Sequence, residues 1–161
     1  MRRMRIKGIS LLEILLVIAV TAVVLVSAIE YFANVRLASK VNTAAIQFRN
    51  IYQGAATYAK DQSYVAALPT TASINLGLPN SALLTNHYLE PSDFISPWGH
   101  DTRYDIFVYT TNGQLTLKVG VASLPVTACQ RLYTRLKTVY PNLQAACPSS
   151  QAAAVNFMFT L

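Results

Sequence analysis

The chain has 161 residues, of which 53% are hydrophobic and only 12% charged, with a formal net charge of +6. Arg2, Arg3, Arg5 and Lys7 hold four of the thirteen basic residues, so from residue 9 onward nine bases face seven acids, a net of +2. The basic balance therefore belongs to the first few residues and is a poor argument for nucleic-acid binding, while the length suits one modest domain beside a membrane helix.

Residues 1–8, MRRMRIKG, carry four positive charges, and residues 9–29, ISLLEILLVIAVTAVVLVSAI, follow as an apolar run. A run of roughly 20 residues is the length a helix needs to cross a bilayer. Basic residues ahead of such a run hold its start on the cytoplasmic side, so the rest of the chain is expected across the membrane. Glu13 is the one charge in the run. A carboxylate in hydrocarbon costs roughly 2.5 kcal/mol or more at a helix centre and less near an end, which marks Glu13 as a functional candidate.

Lys7-Gly8, then Ile9-Ser10-Leu11-Leu12-Glu13 and a run of sixteen uncharged residues, resembles the type IV prepilins. The resemblance implies that a prepilin peptidase/methyltransferase cuts after Gly8 and methylates the amine of Ile9. It also implies that Glu13 faces the N-terminal amine of a neighbouring subunit in a filament. Many members of that family carry a proline where this chain has Glu30, so no proline kink is expected here. The competing readings of the same stretch are a removable secretory signal, with Val26-Ser27-Ala28 as its small-residue cleavage site, a plain signal anchor, and a buried soluble helix. The two signal readings have no need of Gly8 or Glu13.

No proline precedes Pro69, and the helical pattern extends to about Asp61. Past Ile29 it becomes amphipathic, with Phe32, Val35, Ala38, Val41, Ala45, Phe48, Tyr52, Ala55 and Ala59 recurring every three or four residues. Arg36, Lys40, Asn42, Arg49 and Lys60 take other faces. Gly54 is a weak point of about 1 kcal/mol. The expected division is a leader over 1–8, a long helix over 9–61 whose first part (9–29) is membrane span or filament core, and a globular head over 62–161.

Residues 62–102 read as a long connection punctuated by Pro69, Gly77, Pro79, Pro91 and Pro97, with a short helix over 81–88 capped by Asn80. In Ser96-Pro97-Trp98-Gly99 the sole tryptophan is an anchor for the loop or a stacking platform for a ligand. Residues 104–111 and 114–121 flank Asn112-Gly113, a two-residue hairpin signal. That turn sets Thr110 opposite Leu115, Val108 opposite Leu117, Ile106 opposite Val119 and Tyr104 opposite Val121, all on one face. Asp105, Phe107, Tyr109, Gln114, Thr116 and Lys118 take the other face.

Leu124-Pro125 opens a second long helix, with Cys129, Leu132, Leu136, Val139 and Tyr140 on one stripe and Pro141 ending it. Arg131, Arg135 and Lys137 line its outer side, as a solvated face or a contact for an acidic neighbour or DNA. Cys129 and Cys147 are the only cysteines. An even count beyond a membrane segment suggests a disulfide, the alternative being two buried thiols. Residues 155–161 alternate as a last strand, with Val155, Phe157, Phe159 and Leu161 facing the long helix.

Ser-Pro-Trp-Gly, Leu-Pro-x-x-x-Cys and the order of hairpin, helix and final strand resemble the type IVb pilins, including those of thin conjugative pili. Against that branch the eight-residue leader is short. The resemblance implies a type IV pilin fold of class α+β: a long N-terminal helix on a small antiparallel sheet, a disulfide-closed C-terminal region, and a last strand inserted out of sequence order. It further implies a homo-oligomeric helical filament, built from the inner membrane by the pilus assembly machinery and displayed outside the cell. The family alternatives are a minor pilin, a type II secretion pseudopilin, or a tip pilin that binds DNA or a surface.

No glycine-rich phosphate loop, Gly-x-Ser-x-Gly or metal-binding His/Glu motif occurs, so neither an enzyme nor a bound cofactor is expected. Asp93, Asp101 and Asp105 are surface charges or turn caps, or a calcium site of the kind some pseudopilins hold in this loop.

Overall fold

A computed structural model describes residues 11–61, 73–76, 82–99, 103–111, 114–149 and 154–161. It contains helix α1 (Leu11–Asp61), strand β1 (Ser73–Asn75), a one-turn helix α2 (Ala82–Thr85), a 3-10 turn (Pro91–Phe94), strands β2 (Asp105–Thr111) and β3 (Gln114–Val121), helix α3 (Val126–Val139), and strands β4 (Gln144–Ala145) and β5 (Val155–Thr160). The chain divides into two compact units, one up to Ala38 and one of Ser39–Leu161, so α1 contributes to both. The class is α+β, a long N-terminal helix with a small antiparallel sheet.

In the first unit α1 is helical through Glu30, as the lack of proline predicts. Phe32, Val35 and Ala38, expected on the buried stripe, are exposed, Phe32 by 62% and Val35 by 46%.

In the second unit, burial along α1 starts at Val41 and follows Ala44, Phe48, Ile51, Ala55, Tyr58 and Ala59. The stripe thus passes through Ala44 and Ile51, where Ala45 and Tyr52 were expected. Tyr52 flanks it instead, its ring 4.7 Å from Tyr140 and 5.8 Å from Phe159. The sheet order is β1-β2-β3-β5-β4, all antiparallel, with β5 between β3 and β4. Phe48 is the hub, its ring 5.3 Å from Tyr104, 5.0 Å from Phe157 and 6.2 Å from Phe159. Edge-to-face contacts of this kind add to the area they bury.

The hairpin register matches the sequence pattern: Ile106 opposes Val119, Val108 opposes Leu117 and Thr110 opposes Leu115. The turn residues Asn112 and Gly113 lie outside the described residues. Tyr104 departs from the expectation. It precedes β2, its amide donates to the Phe94 carbonyl at 3.0 Å, and the ladder with β3 begins at Asp105. Ile106, Val108, Leu117, Val119 and Val121 are buried with Phe157 and Phe159 from β5, while Asp105 and Gln114 on the other face are exposed.

The connection over 62–102 is more structured than expected. It holds β1, which pairs with β2, and α2 covers only four of the eight residues expected to be helical. Its N-cap candidate Asn80 lies outside the described residues. His87 takes a left-handed backbone (φ 57°) just after α2, where the Leu83 carbonyl accepts from the Tyr88 and Leu89 amides at 2.9 and 3.1 Å. Val139 is 62% exposed rather than part of the buried stripe of α3, and Leu161 is half-buried beyond the end of β5. Cys129 and Cys147 form a disulfide that ties α3 to the segment after β4.

Candidate assembly surface

Between Leu11 and Ile29 nearly every side chain is exposed: Leu11 by 77%, Val23 by 68%, Ile29 by 68%. An 18-residue window of α1 has a mean hydropathy of 2.8, and none of it is buried within the chain. An apolar face of this size in water would be heavily penalised, so it needs lipid or protein around it. The polar atoms in this stretch have the arrangement such surroundings demand. Thr21 Oγ1 donates to the Val17 and Ile18 carbonyls, each at 2.9 Å, and Ser27 Oγ donates to the Val23 carbonyl at 3.0 Å. Each hydroxyl is satisfied by its own helix, so neither needs water.

Glu13 is the exception. It is exposed in the first turn of α1, and its carboxylate has no partner among the described residues. A negative charge there gains from the helix dipole, which is a structural reason for an acid at this end in addition to any pairing. Gly8 and Ile9, the expected cleavage and methylation positions, lie outside the described residues.

In the second unit the expected basic face of α3 divides. Arg131 and Arg135 are exposed one turn apart. Lys137 is half-buried: its Nζ donates to the Leu143 carbonyl at 2.9 Å and lies 6.0 Å from the centre of the Tyr133 ring. It fastens the end of α3 to the following turn and is a weak candidate for surface binding. Asp93 accepts from Asn50 Nδ2 at 3.0 Å, Asp105 stands on the sheet, and Asp101 lies outside the described residues. No group of metal-ligating side chains occurs among the described residues.

The segment carrying α2 and the 3-10 turn is seated on α1 by polar contacts that no local pattern announces. Gln47 Nε2 donates to the Ser92 and Ile95 carbonyls, each at 2.9 Å, and Gln47 Oε1 accepts from the Tyr104 hydroxyl at 2.8 Å. Tyr88 donates its hydroxyl to Asp61 Oδ2 at 2.6 Å, which raises the Tyr88 pKa above its usual value of 10.0. Ser96 is buried, while Trp98 is only half-buried and its backbone N–H donates to Ser96 Oγ at 3.3 Å. The serine, more than the tryptophan, is the seated residue of Ser-Pro-Trp-Gly. A cleft of about 170 Å³ lies between α1 and the end of α3, lined by Ile46, Arg49, Arg135 and Val139. Periodicity could have found Ile46, which lies off the Ala44–Phe48–Ile51 stripe. Comparison with protein families, curated proteins and solved structures finds no match to this chain.

Proposed function

We propose that this chain is a structural subunit of a type IV pilus-like filament, held in the inner membrane as a precursor and assembled outside it by packing of the N-terminal helices. The observation that carries this reading is the bare apolar surface of α1 from Leu11 to Ile29, self-satisfied at Thr21 and Ser27 and carrying one acid, Glu13, that has no partner among the described residues. Such a surface is stable in lipid and equally stable among copies of itself, so a subunit can exchange one setting for the other without exposing a polar group. An acid in that surface is tolerated once a neighbour supplies a compensating charge, and strongly penalised otherwise. The amine of a cleaved Ile9 is the nearest positive group the reading offers. The head, closed by the Cys129–Cys147 bond, supplies the outer surface. The amino terminus of the protein extracted from its native membrane tests this. N-methylated Ile9 together with filaments composed of this chain is the expected result. A chain beginning near Ile29 would overturn it in favour of an exported domain released from a signal peptide.

A further inference from the structure

The cleft between α1 and α3 combines apolar and basic surface. Ile46 and Val139 are 55% and 62% exposed, and Arg49 and Arg135 stand exposed beside them. The cleft suits a partner segment that presents apolar side chains around one carboxylate. Among the described residues two stretches of α1 have that composition: the one around Glu13, which the filament reading already pairs with the amine of a neighbour, and the one around Glu30. Ile29, Tyr31, Phe32 and Val35 are 68%, 67%, 62% and 46% exposed, and Glu30 lies among them with no partner for its carboxylate among the described residues. The other acids of the described head fit less well. Asp61 and Asp93 already accept hydrogen bonds from Tyr88 and Asn50. Glu90 faces a polar groove with Asn50, Gln53 and His87, and Asp105 stands on the exposed side of the sheet.

We propose that this cleft receives residues 29–35 of a second copy, with Glu30 of that copy held between Arg49 and Arg135. The inference rests on the filament reading above and gives it a second charge contact besides Glu13. A contact between two different patches of the same chain is heterologous and repeats from copy to copy, as a filament requires. Arginine suits the role because it stays charged and can grip a carboxylate with two parallel N–H donors. The apolar flanks remove water from the pair and so strengthen it.

Cross-linking in filaments sheared from cells tests the contact. The two native cysteines are joined to each other, so Glu30→Cys together with Arg135→Cys adds the only free thiols. Oxidation is expected to give a ladder of covalently linked subunits, which neither single variant gives. Glu30→Arg is expected to lower filament yield about tenfold, and adding Arg49→Glu and Arg135→Glu is expected to restore it. Membrane levels of each variant separate an assembly defect from misfolding. Filaments that form normally with Glu30→Arg and show no ladder in the double-cysteine variant would overturn this contact and leave the filament reading standing. A wild-type chain that never enters filaments would overturn both.

Discussion

Gly54 on α1 lies directly beneath Leu89: a Cβ added to Gly54 would stand 2.8 Å from Leu89 Cγ and 3.0 Å from the Tyr88 carbonyl oxygen. A glycine inside a helix costs about 1 kcal/mol relative to alanine. Here the missing side chain lets the segment after α2 approach the helix backbone. Gly54→Ala should therefore destabilise the head by a net of roughly 1–2 kcal/mol, because overpacking of about 1–3 kcal/mol exceeds the gain in helix propensity. Thermal unfolding in detergent checks it, and a variant that melts at or above the wild-type temperature would mean that Leu89 yields.

The Cys129–Cys147 bond closes a loop of 18 residues in sequence separation. In the chain-entropy account a loop of that size stabilises by about 3 kcal/mol. Reduction under native conditions should lower the denaturant midpoint accordingly, and the Cys129→Ala/Cys147→Ala variant should match the reduced protein and no longer respond to reductant. A midpoint unmoved by reduction would show that the packing of α3 alone holds the region.

Tyr104 is 1% exposed, and burial raises its pKa above the usual 10.0. Below pH 10 the phenol is protonated in both folded and unfolded chains and contributes no pH dependence. Above it the unfolded chain releases the proton first, so stability should fall as pH rises from about 10 toward the folded value. Tyr104→Phe should lose about 1 kcal/mol at neutral pH, from the hydrogen bond to Gln47, and decline less steeply above pH 10. Denaturant unfolding at pH 8 and pH 11 compares the two slopes, and equal slopes would remove Tyr104 from the account.

Glu13→Ala should leave membrane insertion and processing intact and cut filament yield by an order of magnitude or more. In the proposed filament, removing the acid would delete the attraction and leave the facing amine uncompensated, at a cost of about 3–5 kcal/mol for a buried charge. Immunoblots of membrane and sheared fractions measure the split, and normal filaments from this variant would remove the role assigned to Glu13.

The legible parts of the chain were those with long, regular patterns. Sixteen uncharged residues after Glu13 mark one helix, and the Asn-Gly spacing alone sets three cross-strand pairs that the sheet contains. The alternation of Val155, Phe157 and Phe159 marked β5. Strands β1 and β4, of three and two residues, are too short to show alternation, and only pairing with a formed sheet makes them strands. Phe32 and Val35 continue the periodic spacing of α1 but are bare in the first unit, so spacing alone places the stripe out of phase. Burial from Val41 onward runs through Ala44 and Ile51. Gln47 and Gly54 were illegible for another reason. Each matters through a partner more than thirty residues away, Ser92 and Leu89, and nothing local to either residue announces that partner.

Phe48 on α1 meets Phe157 on β5, residues 109 positions apart, at 5.0 Å between ring centres. At a synthesis rate of roughly 5–20 residues per second, the face of α1 that ends up in the core waits about 5 to 20 seconds for the strand that covers it. During that interval Phe48 and Ile51 lie open while β2 and β3 can already pair. The head therefore closes late and from a distant contact, a topology that folds slowly.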